Sequence, residues 1–270
     1  LDQVWRRFDS QDYIFHLQLD VTNACNLACT HCYLPHHKNS GALAFEDWCR
    51  VVDQYKELLF NLHMKPYIAI AGGEPLLAPF LFQLIEHIRK HFPDCNNNIG
   101  TNGTKVSQEI AKRLRKWNTS LQVSLDGPDA LRHDLIRGEG SFNQTLQGCQ
   151  ALQEAEVPFH HLAVLSKRTS DWIPDFFDMA KKTGAREMNF VRLIAAGHAE
   201  KLLKDKEDEA LKGLALKEAM ENILKTSRLK GVATNTHKSL WHLIEPGLGA
   251  PNNIGFSGLI VDYKGRVKIS

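Results

Sequence analysis

Short apolar runs suited to strands alternate along most of this chain with stretches whose apolar residues recur at helical spacing, and that alternation narrows the folds open to it. Strand-like runs fall at 14–20, 66–71, 98–101, 120–125, 159–165 and 187–193; helical patterns at 45–62, 79–92, 106–117, 142–156 and 171–183 lie between them. Residues 14–20 (IFHLQLD) alternate with period two, Glu46 and Asp47 suit the positive end of the first helix, and Ser141 suits an N-cap. Six βα-type repeats imply a parallel sheet with helices outside it. They are too few for a closed eight-fold barrel, so the expected fold class is α/β, a partial (β/α)6 TIM-like barrel, with ligands at the C-terminal ends of the strands. Beyond residue 193 the pattern changes to a polar helical stretch at about 204–230, a Gly-, Pro- and Asn-rich loop at 246–255, and a β-hairpin of 258–262 and 266–270 around Tyr263-Lys264-Gly265. A boundary near 200 divides a barrel core, 1–200, from a C-terminal extension, 201–270.

Lys and Arg number 33 against 31 Asp and Glu, a formal charge of +2 with the signs interspersed, so there is no electrostatic case for nucleic acid. The charged run 204–209 reads as a solvated helix start. No apolar stretch approaches the roughly 20 residues of a membrane span, and no signal peptide opens the chain. Six cysteines, three packed into one loop, do not look like a secreted disulfide framework, which makes a reducing cytoplasm the expected location. The chain begins at Leu1 without a methionine and stops at Ser270 inside a strand-like run, so it is expected to be part of a longer protein.

The cysteine loop, Cys25-Asn26-Leu27-Ala28-Cys29-Thr30-His31-Cys32-Tyr33, follows the first strand directly. Three thiolates at CxxxCxxC spacing suit three irons of a cubane cluster and leave the fourth iron open to a small molecule. Zinc is the competing reading, with His31, His36 or His37 as a fourth ligand; a third reading leaves the cysteines reduced and unrelated. Cys49, Cys95 and Cys149 read as buried or incidental thiols. Gly72-Gly73-Glu74-Pro75, Thr101-Asn102-Gly103 and Ser124-Leu125-Asp126-Gly127-Pro128 end the next three strands, and Arg137-Gly138-Glu139-Gly140-Ser141-Phe142 precedes a helix. Each alone is an ordinary turn or surface loop. Among the histidines, His16 and one of His160 and His161 are expected to point inward from strands, more simply as hydrogen-bonded core residues than as substrate contacts.

Taken together and in this order, these motifs resemble the radical S-adenosylmethionine (radical SAM) superfamily, specifically its SPASM/twitch branch, over about residues 12–200. The resemblance implies that Cys25, Cys29 and Cys32 ligate a [4Fe–4S] cluster whose open iron is chelated by the amine and carboxylate of S-adenosylmethionine (SAM). Gly73 and Glu74 would hold the SAM amino group, Ser124 and Arg137 its carboxylate, and Asn102 would face the ribose. Backbone near His31 and the sixth strand around 191–193 would line the adenine. Arg192, before Gly197-His198-Ala199, matches the family pattern but equally suits a structural ion pair. The implied activity is radical SAM oxidoreductase or maturase chemistry: reductive cleavage of SAM at the cluster, giving a 5′-deoxyadenosyl radical that abstracts hydrogen from a substrate. The implied substrate is a ribosomal peptide; the alternative is a decarboxylase, dehydrogenase or epimerase acting on a tetrapyrrole, sugar or nucleoside. The implied partner is an external electron donor such as a flavodoxin or ferredoxin. The C-terminal hairpin resembles a truncated SPASM/twitch extension, with Gly255 and Ser270 where relatives place auxiliary-cluster cysteines.

Overall fold

The computed structural model describes residues 14–34, 39–205, 209–235 and 258–269. His36, His37, the 246–255 loop, Gly255 and Ser270 lie outside the described residues. Strands β1 (Ile14–Thr22), β2 (Lys65–Gly72), β3 (Asn96–Thr101), β4 (Thr119–Ser124), β5 (Phe159–Leu165) and β6 (Met188–Arg192) run parallel in sequence order, the expected partial-barrel arrangement. The expected hairpin forms from β7 (Gly258–Val261) and β8 (Val267–Ile269). The sequence pattern does not reveal that β7 also joins the free edge of β1 in parallel, making one eight-stranded sheet.

One face of the sheet is apolar because alternate strand residues meet the helices. Leu17, Leu19, Ile68, Ile70, Ile99, Leu121 and Phe159 share a core with Trp48, Val52, Tyr55 and Leu59 of α1 (Phe45–Leu62) and Leu81, Leu84, Ile85 and Ile88 of α2 (Leu81–His91). The period-two register sends their neighbours to the opposite face. There Gln18, Ala69, Asn98 and Ser120 align in one row, and Gly100, Gln122 and His160 in another.

Local chemistry sets several boundaries away from the expected ones. A 3-10 turn, Pro75–Leu77, precedes α2, so that helix starts at Leu81. α3 (Gln108–Lys116) is capped by Ser107, whose hydroxyl accepts from Ile110 N. α4 (Ala130–Arg137) forms where the sequence reads as loop, because Asp129 caps it by accepting from Arg132 N at 2.9 Å. α5 (Ser141–Glu154) has Ser141 as its first helical residue and Gly140, at φ 75°, as its N-cap. The capping acceptor comes instead from α4: Asp134 takes Gly140 N and Phe142 N at 2.8 Å each, and Ser141 Oγ at 3.1 Å. The helical pattern at 171–183 forms α7 (Ile173–Thr183), preceded by a separate short helix, α6 (Lys167–Ser170), that the sequence does not signal. After β6 come α8 (His198–Asp205) and α9 (Gly213–Lys230); Met220 and Ile223 of α9 pack with Phe176 and Phe177 of α7.

His161 is fully buried among helices, hydrogen-bonded to Thr183 Oγ1 at 2.7 Å, as a core histidine should be. His16 is exposed, with its ring 4.8 Å from that of Tyr67. His133 is also fully buried, edge-on to Phe142 at 5.5 Å, with neither ring nitrogen hydrogen-bonded. Burial lowers the pKa of both His133 and His161 to about 4 from 6.5. Between those values the unfolded chain takes up protons that the folded chain refuses, so stability falls as pH falls through that window. The expected loss from pH 7 to 4 is about 3 kcal/mol per histidine, because each tenfold difference in proton affinity between the two states is worth roughly 1.4 kcal/mol. A denaturation midpoint that stays flat over that range would contradict it.

Candidate functional site

The loop after β1 crosses the C-terminal edge of the sheet, where the fold class places a ligand. Its entry is tied by Asn39, whose Oδ1 accepts from Thr22 Oγ1 at 3.0 Å, Asn23 N at 2.7 Å and Ala24 N at 3.0 Å. Leu27 N donates to Cys25 Sγ at 3.4 Å, and Leu34 N donates to the Cys32 sulfur. Burial pushes all three thiols up, Cys29 to about 11. The free thiols are therefore protonated at neutral pH, and a metal must displace those protons on binding.

The spacing of the sulfurs bears on which metal fits. Among the described residues, one group alone brings three His, Cys, Asp or Glu ligand atoms within 4.8 Å of one another, and it is not the cysteine triplet. A tetrahedral zinc site with Zn–S near 2.3 Å needs sulfurs about 3.8 Å apart. A cubane spreads its three thiolates over three separate irons and so asks for a wider spacing than that. The His31 Nε2 lies 3.2 Å from Asp126 Oδ2.

The strand-end motifs converge on this loop. Gly73 N donates to Thr22 O at 2.7 Å and Glu74 N to Ala24 O at 2.8 Å. A Cβ at Gly73 would stand 2.2 Å from Ala24 O, so the glycine permits close approach to the cysteine loop. Asn102 Nδ2 donates to Asn26 Oδ1 at 3.0 Å and lies 3.9 Å from Cys25 Sγ, while its Oδ1 accepts from Thr104 N at 2.9 Å. From α4, Ile136 O accepts from Thr30 N at 2.9 Å. After β6, His198 N donates to Cys32 O at 2.8 Å, and His198 Nδ1 lies 3.2 Å from Cys29 O.

Beneath the loop sits a buried ion pair. Asp126, fully buried, lies 2.5 Å from Arg137 Nε through Oδ2, and its Oδ1 accepts from Val164 N at 2.7 Å. Burial alone would raise the Asp126 carboxyl, but the Arg137 guanidinium and His31 hold it well below the usual carboxylate range. Arg137 Nη1 also reaches to 4.0 Å from Cys29 Sγ, placing a cation beside a sulfur that becomes anionic as a metal ligand.

Several of the residues expected to contact SAM also have partners within the protein. Glu74 is fully buried and already accepts from Thr101 Oγ1 at 2.8 Å, Asn102 N at 2.8 Å and Leu76 N at 3.1 Å, which fastens β2 to β3. The Asn102 amide reaches the cysteine loop, and Arg137 pairs with Asp126. Ser124 is half-buried at the tip of β4, and its hydroxyl makes no hydrogen bond to a described residue. Arg192, at the end of β6, is exposed and has no ion pair to a described residue, beside a groove lined by Leu165, Leu193, Ala195 and Leu203. The sequence alone assigns no role to Asp126, Asn39 or His198. The pairing of an Asp in one strand-end turn with an Arg eleven residues later is the signal available for the first.

Glu74→Gln puts an amide where three donors converge. Leaving a buried donor unmatched costs about 1.5–3 kcal/mol when the lost partner is charged, so the unfolding free energy from denaturant titration should fall by that amount. A variant with parental stability and only weakened SAM affinity would show that the carboxylate serves the SAM ammonium rather than the fold.

A parallel α/β partial barrel with an open trithiolate loop at its C-terminal edge defines the class of protein. The radical SAM superfamily model matches residues 19–180, more than half of the chain, and the chain belongs to that superfamily. The AdoMet-dependent heme synthase of Methanosarcina barkeri is 32% identical over 187 residues, 67% of this chain and 51% of that protein. The mycofactocin maturase MftC of Mycolicibacterium smegmatis is 28% identical over 254 residues, 93% of this chain and 60% of that protein. The chain thus spans about half the length of relatives it matches. Among solved structures, anSMEcpe with bound AdoMet and Cp18Cys peptide superposes with a TM-score of 0.72 at 23% identity, over 94% of this chain and 73% of that one, a likeness of fold. No described helix is long and apolar enough to cross a membrane.

Proposed function

We propose that this chain is a radical SAM oxidoreductase or maturase that holds one [4Fe–4S] cluster on Cys25, Cys29 and Cys32 and acts on a peptide. The observation that carries the cluster reading is the trithiolate loop itself, held at the C-terminal edge of the sheet by the tips of β2 and β3, by α4 and by the start of α8. Once cluster and SAM are bound, the chemistry supplied there is reductive SAM cleavage to a 5′-deoxyadenosyl radical that takes hydrogen from an unactivated carbon. Ser124 and Arg192 are the groups left open to hold SAM, a hydroxyl and a guanidinium suited to its carboxylate or ribose. Arg137 and the Leu27 and Leu34 amides would stabilise the anionic sulfurs. An external one-electron donor of the flavodoxin or ferredoxin kind would supply the reductant.

The peptide reading draws on the maturase relative, which aligns over nearly the whole chain, and on the sheet face that carries no helices. That face offers amide, hydroxyl, carboxyl and imidazole groups (Gln18, Asp20, Asn98, Ser120, Gln122, His160) over a small-residue floor of Ala69, Ala71 and Gly100. Such a wall can pair with an extended backbone. A tetrapyrrole substrate is the second reading, favoured by the 32% identity to a heme synthase. The activity test is anaerobic reconstitution followed by incubation with SAM and a strong reductant. Formation of 5′-deoxyadenosine is the expected product, and a colourless, zinc-loaded protein that leaves SAM intact would overturn the proposal. Deuterium transfer into 5′-deoxyadenosine from labelled peptide or labelled porphyrin then separates the two substrate readings.

A further inference from the structure

We propose that Asp53, His87 and His91 form a second metal site, mononuclear and of the zinc class, on the outer helical layer. His87 and His91 stand four residues apart on α2 and so project from the same face. Asp53 faces them from α1. Its Oδ1 lies 2.9 Å from His87 Nε2 and 3.1 Å from His91 Nε2, and the three ligand atoms all fall within 4.8 Å of one another. In a tetrahedral zinc site with bonds near 2.0–2.1 Å the ligand–ligand edge is about 3.3 Å. The two measured edges meet that length after shifts of a few tenths of an ångström.

The surroundings favour a built arrangement. Leu84, Ile85 and Ile88 are fully buried and fix the rotation of α2, while Val52 and Tyr55 do the same for α1 on either side of Asp53. The imidazoles meet edge-on, centroids 4.7 Å apart at 67°, so their Nε2 atoms converge while the rings splay. The side chains are only partly covered, Asp53 49% exposed and the histidines about 20%, which leaves room for water as a fourth ligand. Two imidazoles and one carboxylate select zinc, cobalt, nickel or copper over magnesium or calcium. Two nearby ammonium groups oppose a cation: Lys56, whose Nζ sits 3.4 Å from His91 Nδ1, and Lys90. The site joins α1 to α2 and shares no residue with the cysteine loop.

Zinc uptake by the cluster-loaded protein, in which the loop thiols are occupied, tests the proposal. Equilibrium dialysis against buffered zinc, with zinc and iron counted per chain, should give one zinc that His87→Asn and His91→Asn each weaken at least about tenfold, no less than the loss that even outer-shell changes cause. Lys56→Gln should tighten it several-fold, because a repelling ammonium is gone. Zinc should raise the unfolding midpoint of the parent and leave that of the two histidine variants unmoved. Iron content and SAM cleavage should be unchanged in all three variants, which separates failure of this site from failure of the cluster reading. Equal zinc uptake by parent and histidine variants, or no uptake by the parent, would overturn the proposal; the three groups would then be a hydrogen-bonded pair of histidines on one carboxylate.

Discussion

Anaerobically reconstituted Cys29→Ala protein is expected to retain little iron and to form no 5′-deoxyadenosine from SAM. Each thiolate of the triplet is the only protein ligand its iron would have, so removing one leaves two ligands for a group that needs three. Cys29 is the most telling of the three. It is the most buried, at 9% exposure, its carbonyl accepts from Cys32 N at 3.2 Å, and Arg137 approaches its sulfur. Alanine there removes the sulfur and keeps the loop's backbone hydrogen bonds, so the folded chain should survive. The expected fall in SAM cleavage is complete within detection, against about four irons per chain in the parent, the content of one cubane. The other cysteines offer no substitute set: Cys49 lies on α1, Cys149 is buried in α5, and Cys95 sits against Pro66 O at 3.7 Å. Cleavage at the parental rate would remove the triplet from the chemistry.

The sheet was legible because its signal is redundant. Six alternations of period-two and helical spacing each point to a parallel layer, and β5 matches its expected run residue for residue. Short elements were not legible, since their stabilising groups lie elsewhere in the chain. The N-terminus of α5 takes its cap from Asp134 on the preceding helix, so Ser141 misleads when read alone. The junction of β7 with β1 depends on a partner more than two hundred residues away, which no local pattern records. At the site, the cysteine spacing and the order of motifs were readable, but not the division of labour among them. GGE and TNG look like ligand-facing turns in sequence, and the structure adds that the Gly73 and Glu74 amides and the Asn102 side chain also hold the loop that carries the thiols, while the Glu74 carboxylate ties β2 to β3. Burial separates the two roles, and burial is a property of the assembled sheet.

Asp126 should be the most damaging replacement away from the thiols. Asp126→Ala strands the Arg137 guanidinium, whose side chain is only 10% exposed, without its carboxylate, and also leaves Val164 N and His31 without their acceptor. Breaking a buried pair from one side costs about 3–5 kcal/mol, because an uncompensated charge stays in a low-dielectric place. Removing both members at once, Asp126→Leu with Arg137→Met, takes away the charge along with its partner and should recover much of that stability. Iron retention should not recover with it. The double variant still lacks the cation beside Cys29 and the carboxylate that orients His31 within the loop, and both act on the thiolates rather than on the fold. Denaturation midpoints and iron per chain, measured side by side, should thus part company: low and low in the single variant, restored and low in the double. A single variant as stable as the parent would show that the pair does not brace the barrel, and a double variant with full iron content would show that it does not tune the loop.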